Sequence, residues 1–341
     1  MQNKISFVLP FKNDANTYGK NLLRLKNILL PSLKKFFDFN DVDKFLIIAP
    51  DDECQEILSY LNQKKDLTLF KITIVSETEV LNSISGWKLH EIHLKLIRFM
   101  KYCDRKFCGN KLMHNYRSAW YYLDGWYRQQ LLKLFAAKFI RTPQYVTLDA
   151  DICLGQEANY QTLLPGGKAI YTPLDLKESS GLAIGWYETS RQMLGYTSNP
   201  SCSDIVMHVT PEILWTDVVN NLLDHLKKMA SQKRCLTIFE YLSSKLGWTE
   251  YSLYWVFLCQ NYNKEDYYCN NTVFPLDAKN SVWFKENARN KEELKEYVDR
   301  SFQEKSALFF VLQSNSLPAD DCIEVLKDYL DSSIPLTLLP T

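Results

Sequence analysis

The chain has 341 residues, and its 40 lysines and arginines balance its 40 aspartates and glutamates, so the formal net charge is zero. This balance argues against a nucleic-acid partner, because such proteins need a clustered cationic surface to neutralise phosphates. Hydrophobic residues form 46% of the sequence, which excludes an intrinsically disordered chain. No apolar run reaches the ~18 residues of a transmembrane helix, and the N-terminus lacks the apolar segment of a secretion signal.

The nine cysteines are scattered, and no two form a CxxC pair. In a chain of this size, that pattern favours reduced thiols over a disulfide framework or a zinc site. We therefore expect a cytoplasmic protein.

The first half of the sequence alternates apolar strands with helices. Strands are predicted at residues 5–9, 44–49, 67–75 and 145–148, and helices at residues 17–37, 53–61 and 125–140. Strands that are apolar throughout and alternate with helices predict an α/β fold with a mostly parallel central sheet covered on both faces.

The pattern is less regular after residue 155. Strands are predicted at residues 168–173, 204–208 and 307–312, and helices at residues 211–230, 234–246 and 321–330. No repeat, low-complexity tract or Pro/Gly/Ser-rich linker divides the sequence. We therefore expect a single domain over residues 1–341.

An Asp-Ala-Asp triplet, Asp149 to Asp151, directly follows the fourth predicted strand. Side chains two residues apart in an extended segment point the same way, so the two carboxylates repel each other unless a cation lies between them. Mg²⁺ binds carboxylate and phosphate oxygens together, and parallel sheets bind ligands beyond the carboxyl ends of their strands. The pattern fits a metal-diphosphate site, although a solvated turn or a helix cap has the same sequence.

Three polar residues, Gln129, Gln130 and Lys133, share one face of the predicted helix at residues 125–140, which is otherwise apolar nearly all round. Buried amide and ammonium groups need partners. They either bond to loop carbonyls within the protein or point at a ligand, with Lys133 facing phosphate or sugar hydroxyls.

The sequence G-W-Y-R-Q-Q-L-L-K-L at residues 125–134, followed by L-D-A-D at residues 148–151, resembles a bacterial family of predicted GT-A-fold glycosyltransferases, long carried as a domain of unknown function. Residues 7–14, 206–208 and 249–254 agree with the same pattern. The resemblance implies a GT-A-like, Rossmann-like fold. It also implies a metal-dependent transferase that moves a sugar from a nucleotide-sugar donor to a glycan, lipid-linked or small-molecule acceptor.

The resemblance assigns roles to particular residues. Asp149 and Asp151 would hold Mn²⁺ or Mg²⁺ against the donor diphosphate, with Asp151 the more direct ligand. Pro10 to Asp14 would cradle the nucleotide, together with Gln129, Gln130 and Lys133. Residues 1–155 would then form the nucleotide-sugar-binding half, and residues 156–341 the acceptor half with the C-terminal strand and helix.

Two further residues have a structural and a functional interpretation. His208 is either a buried strand histidine or the third metal ligand. Glu250 opens a predicted helix, where an acid is favourable near the positive end of the helix dipole. The resemblance instead makes it the base that removes the acceptor proton in an inverting transfer. Lys133 would assist departure of the leaving phosphate.

Two other functions remain open. A sugar nucleotidyltransferase also uses metal-binding acids, but the loop after the first strand has no glycine until Gly19. A non-catalytic nucleotide- or glycan-binding protein on the same scaffold is the other alternative. Peripheral docking on a membrane is also left open by the sequence.

Overall fold

The computed structural model describes residues 3–13, 20–63, 70–107, 125–179, 181–197 and 204–330. The strands are β1 Ile5–Pro10, β2 Val42–Ala49, β3 Ile72–Ser76, β4 Gln144–Thr147, β5 Ile152–Leu154, β6 Pro173–Asp175, β7 Ile205–Met207, β8 Glu212–Trp215, β9 Phe274–Leu276 and β10 Ala307–Val311. The helices are α1 Asn21–Arg24, α2 Leu30–Phe36, α3 Cys54–Gln63, α4 Glu77–Asn82, α5 Trp87–Phe107, α6 Trp126–Phe135, α7 Tyr160–Leu163, α8 Gly181–Met193, α9 Thr216–Gln232, α10 Ile238–Ser244, α11 Glu250–Asn261, α12 Lys264–Tyr267, α13 Lys291–Glu304 and α14 Ala319–Leu330. A π-helical turn, Leu25–Leu29, joins α1 to α2.

The central sheet has five strands in the order β3-β2-β1-β4-β8. The strands β3, β2, β1 and β4 run parallel, and β8 pairs antiparallel with β4 at one edge. Every residue of β1 is buried, and so is every residue of β4. Such burial on both faces explains why β1 is almost entirely apolar and does not alternate between apolar and polar residues. The predicted mostly parallel α/β sheet is confirmed.

Two smaller sheets lie outside this layer. In the first, β10 pairs antiparallel with β5 and parallel with β9. In the second, β6 pairs antiparallel with β7. The backbone N–H of Leu312 donates to the carbonyl of Asp151 at 2.9 Å, so β10 continues alongside the Asp-Ala-Asp turn. The C-terminal part of the chain thereby reaches the segment that follows β4 of the central sheet.

Two predictions of secondary structure are wrong. Residues 212–215 form the edge strand β8 and not the start of a helix, because β4 needs a partner for its open edge and Glu212–Trp215 supplies it. The helix begins only at Thr216. Residues 168–173 make a single bridge between Ala169 and Tyr268 instead of a strand, and β6 starts at Pro173.

Glu212 on β8 is fully buried, and its carboxylate accepts a hydrogen bond from the backbone N–H of Thr172 at 3.1 Å. Burial raises the pKa of Glu212 well above its ordinary 4.5, and the bond from Thr172 opposes that rise only in part. The folded state therefore holds a proton that the unfolded state releases. The stability that this group contributes is complete below pH 4.5 and is lost as the pH rises through the folded-state pKa.

We expect Glu212→Gln to raise the melting temperature relative to the wild type at about pH 8, with a difference that shrinks towards about pH 4. Thermal unfolding followed by circular dichroism across this range would measure the difference. Glu265→Gln is the matched control, because the Glu265 side chain is 70% exposed. A Glu212→Gln variant that melts below the wild type at every pH would contradict the assignment of Glu212 as a neutral acid.

Six of the cysteines in the described ranges are free thiols. Cys259 instead takes part in a disulfide. The expectation of reduced thiols is therefore wrong for Cys259.

Candidate functional site

A cavity of about 1070 Å³ opens at the carboxyl ends of the parallel strands. Its wall includes Pro10 at the end of β1, Pro50 just after β2 and Asp149 just after β4. The chain must turn away from the sheet where each strand ends, so these loops leave a crevice between them. Open α/β sheets bind their ligands in the crevice beyond the carboxyl ends of their strands.

The two acids of the Asp-Ala-Asp turn differ in exposure. The Asp149 side chain is 29% exposed, whereas Asp151 is only 7% exposed. Gln129 Nε2 donates to Asp149 Oδ1 at 2.6 Å, and the backbone N–H of Ser314 donates to Asp151 Oδ2 at 2.8 Å. Both carboxylates line the cavity and keep acceptor positions that these bonds do not use.

Burial raises the pKa of Asp151, and the negative charge of Asp149 raises it further. The guanidinium of Arg24 and the N–H of Ser314 oppose the rise without cancelling it. Ionising this acid therefore costs free energy in the folded protein. A cation held between the two carboxylates would remove that cost.

Arg24 at the end of α1 is fully buried and fixes the loop that follows β10. Its guanidinium donates to the carbonyl of Leu312 at 2.7 Å and to the carbonyl of Leu317 at 2.6 Å. The loop between those carbonyls carries Ser314, whose backbone bonds to Asp151. Arg24 thus holds the C-terminal wall of the cavity against Asp151.

The ammonium of Lys133 on α6 lies between two carboxylates. Its Nζ is 3.1 Å from Asp149 Oδ1 and 3.2 Å from Glu250 Oε1, and it also donates to Thr210 Oγ1 and lies 3.5 Å from the Tyr251 hydroxyl. Burial alone would lower the pKa of Lys133, but the charges around it outweigh burial and raise the pKa. The lysine is a buried cation that links the α6 face to the start of α11.

Glu250 opens α11, as the sequence predicts. Thr249 and Ser252 form a capping box at this helix start, and the backbone N–H of Glu250 donates to Gln130 Oε1 at 2.9 Å. Burial raises the pKa of Glu250, and the Lys133 ammonium opposes part of that rise. The Nε2 of Gln130 is buried and has no hydrogen-bond partner among the described residues.

Two tryptophans stand at another part of the cavity wall. Trp126 at the start of α6 and Trp186 on α8 have ring centroids 6.0 Å apart, and Trp126 is about half exposed. Aromatic rings in a cavity wall can stack on bases or on sugar rings. Trp126 lies beside Gly125, whose φ of +59° is a conformation that glycine adopts readily.

The cavity collects nearly all of the site residues predicted from the sequence: Pro10, Gln129, Gln130, Lys133, Asp149, Asp151 and Glu250. Asp14 lies outside the described residues. His208 is not part of the cavity wall; its ring packs 6.1 Å from that of Trp283, and burial lowers its pKa to about 4. Its role as a metal ligand stays a prediction.

The cavity offers two carboxylates, which suits a cation whose other ligands are phosphate oxygens and waters. Across the described ranges, no three His, Cys, Asp or Glu residues are grouped to hold a metal ion. Mg²⁺ needs only one or two protein carboxylates when phosphate oxygens and waters complete its shell. Asp149 and Asp151 would meet that requirement as the two protein ligands.

Sequence reasoning missed several residues of the site. Thr210, Tyr251 and Ser314 line the cavity, and Arg24 supports it. Tyr251 belongs to the 249–254 segment of the resemblance, but its hydroxyl bonds to Thr147 and Thr210, far away in the sequence. No local pattern predicts such contacts.

Among solved structures, the chain is similar to mouse xyloside xylosyltransferase 1, with 12% identity, coverage of 92% of this chain and 99% of that chain, and a TM-score of 0.45. It is also similar to the galactosyltransferase LgtC in complex with donor and acceptor sugar analogues, with 10% identity, 98% coverage of both chains and a TM-score of 0.42. A third similar structure is the bifunctional glycosyltransferase WbbM, with 10% identity, coverage of 96% of this chain and 50% of that chain, and a TM-score of 0.43.

A search of curated proteins finds no match. One family model, described as a family of unknown function (DUF6492), matches residues 2–334. Because that match spans nearly the whole chain, the protein belongs to this family.

Proposed function

We propose that this protein is a metal-dependent glycosyltransferase that takes a sugar from a nucleotide-sugar donor. One observation carries the proposal: Asp149, Asp151, Lys133 and Glu250 line one cavity at the carboxyl ends of the parallel strands. Paired carboxylates suit a metal-bound diphosphate, and a third acid, Glu250, beside a lysine suits proton transfer. The transferred group is inferred from the resemblance of residues 125–134 and 148–151 to predicted glycosyltransferases.

On the donor side, residues 1–155 would bind the nucleotide sugar. Pro10 and Lys12 lie at the end of β1 and just after it on the cavity wall, and Gln129 and Gln130 supply amide groups from α6. The buried Nε2 of Gln130 lacks an acceptor among the described residues and would donate to a phosphate or sugar oxygen that reaches it. Lys133 would hold Asp149 in place and lend positive charge to the same region.

Asp149 and Asp151 would hold Mn²⁺ or Mg²⁺, which as a Lewis acid neutralises charge that develops on the leaving diphosphate. The protein supplies the rigid frame for that ion. Gln129 orients Asp149, and the N–H of Ser314 orients Asp151. Carboxylates held by such bonds would need little reorganisation during the reaction.

On the acceptor side, Glu250 is the candidate base. Its raised pKa brings it closer to the range in which a carboxylate accepts a proton efficiently, and Lys133 keeps it oriented. In an inverting transfer, Glu250 would take the proton from an acceptor hydroxyl as the new glycosidic bond forms. Trp126 and Trp186 come from the two halves of the chain and would stack on a sugar ring between them, and we take a glycan or lipid-linked sugar as the acceptor.

A thermal-shift screen tests this proposal. Purified protein is heated with nucleoside diphosphates and nucleotide sugars, each with Mn²⁺ or with a chelator. A ligand at ~100 times its dissociation constant stabilises the folded state by about 2.7 kcal/mol. We expect a rise in melting temperature for at least one nucleoside diphosphate that requires Mn²⁺.

The outcomes separate the competing functions. Release of a nucleoside diphosphate from the donor, with sugar transferred to an acceptor, supports the glycosyltransferase. Release of pyrophosphate from a nucleoside triphosphate and a sugar phosphate indicates a nucleotidyltransferase. Binding without turnover indicates a non-catalytic protein, and no Mn²⁺-dependent binding at all overturns the proposal.

A further inference from the structure

The 21-residue helix α5 presents an apolar stripe to solvent. Five apolar residues recur at intervals of three, four, three and eight residues, which keeps them on one side of the helix: Leu89, Ile92, Leu96, Phe99 and Phe107. Each is at least 45% exposed, and Ile92, Phe99 and Phe107 are more than 60% exposed. On the opposite side, Trp87 and His90 are buried and pack against Phe239 of α10.

Lysines border this stripe. Lys88, Lys95 and Lys106 are spaced by seven and eleven residues, which places them along one side of the helix next to Ile92 and Phe99. All three are exposed, and the ion pair of Lys95 is with Glu91 of the same helix. A helix with exposed apolar side chains flanked by lysines is typical of a segment that lies in a membrane interface.

We propose that the exposed face of α5 docks the protein on an anionic lipid bilayer. Apolar side chains would enter the boundary between headgroups and acyl chains, and Lys88, Lys95 and Lys106 would meet the negative headgroups. The lysines favour an anionic bilayer over a second copy of the chain as the partner of this face. A symmetric dimer through α5 would bring like-charged lysines together. The helix does not cross the bilayer: no helix in the described ranges is both long and apolar enough to do so.

The docking face lies beside the candidate site. Trp87, Glu91 and Lys95 of α5 line a second cavity of about 370 Å³. This cavity shares Pro50, Asp52, Glu77 and Arg128 with the main cavity, so the two adjoin. A bilayer against α5 would hold the main cavity near the membrane surface. The docking itself does not depend on the proposed transfer reaction.

Flotation of the full-length protein with lipid vesicles tests the proposal. The wild type should bind vesicles of phosphatidylcholine mixed with phosphatidylglycerol and should bind vesicles of phosphatidylcholine alone far less. Replacing Lys88, Lys95 and Lys106 with glutamine should weaken binding to the anionic vesicles by about 100-fold, or about fivefold for each lysine. Raising the salt concentration should weaken wild-type binding as well, because salt screens exposed charges.

Phe99→Ser should reduce vesicle binding about tenfold or more, because burial of a large apolar side chain is lost. Phe284→Ser is the matched control, since Phe284 is 65% exposed and Phe99 is 63% exposed. The control should bind as the wild type does. Both variants should keep the wild-type melting temperature, because neither side chain is buried in the folded protein.

Three results would overturn the proposal. The wild type could fail to bind anionic vesicles. Phe99→Ser could lower the melting temperature well below that of Phe284→Ser, which would show that another part of the chain covers α5. Sedimentation could show a dimer that Phe99→Ser dissociates, which would assign the face to a second copy.

Discussion

Asp151→Asn should reduce sugar transfer about a thousandfold or more while leaving the melting temperature unchanged or higher. The loss of activity follows because a metal ion contributes several kcal/mol of transition-state stabilisation, and each ~1.36 kcal/mol is a factor of ten in rate. The stability is kept because the folded protein raises the pKa of Asp151, so the negative charge is a cost that asparagine removes. The amide oxygen still accepts the N–H of Ser314.

The measurement is the release of nucleoside diphosphate from the donor that the thermal-shift screen identifies. Calorimetry of Mn²⁺-dependent nucleoside diphosphate binding should show a parallel loss. Asp320→Asn changes the net charge equally at an exposed position that pairs with Lys20, and it should keep full activity. Wild-type turnover by the Asp151→Asn variant with Mn²⁺ would contradict the assignment of Asp151 as a metal ligand.

Lys133→Met should lower the free energy of unfolding by about 3–5 kcal/mol, because it leaves Glu250 and Asp149 without their shared cation. Glu250 is almost fully buried, so water cannot replace the lost ammonium. Urea denaturation measures the change. Lys295→Met is the matched control, because the Lys295 side chain is exposed where it pairs with Asp299. Surface ion pairs of this kind contribute about 0–1 kcal/mol to the free energy of unfolding.

A double-mutant cycle separates the ion pair from the packing of the lysine stem. In a Glu250→Gln background, Lys133→Met should cost at least about 1 kcal/mol less than it does in the wild type, since one of the two carboxylates is already neutral. Equal costs in both backgrounds would mean that the Lys133–Glu250 contact at 3.2 Å contributes nothing to stability. Such additivity would contradict the bridging role of Lys133.

Features with a local cause could be predicted from the sequence. The apolar runs of β1 and β2 predict buried strands, and the Asp-Ala-Asp triplet falls after β4 as expected. The capping box of Thr249 and Ser252 places Glu250 at the start of α11. The polar face of α6 indicates that Gln129, Gln130 and Lys133 act together, and all three line the cavity.

Features that join distant parts of the chain could not be predicted. Ser314 meets Asp151 across 163 residues, and Gln130 meets Glu250 across 120 residues. Residues 212–215 have a helix-like sequence after Pro211, yet they form a strand because the open edge of β4 needs hydrogen-bond partners.

The sequence by itself determined which residue types stand at the carboxyl end of the fourth strand and on the polar side of α6, because strand and helix periodicity are local properties of the chain. Only the tertiary structure decided that Lys133 is shared between Asp149 and Glu250, and that Arg24 holds the Ser314 loop against Asp151. The physical reason is burial. A buried charge needs a partner, and the fold supplies that partner from a distant part of the chain. The local sequence around the charge therefore does not show which residue the partner is.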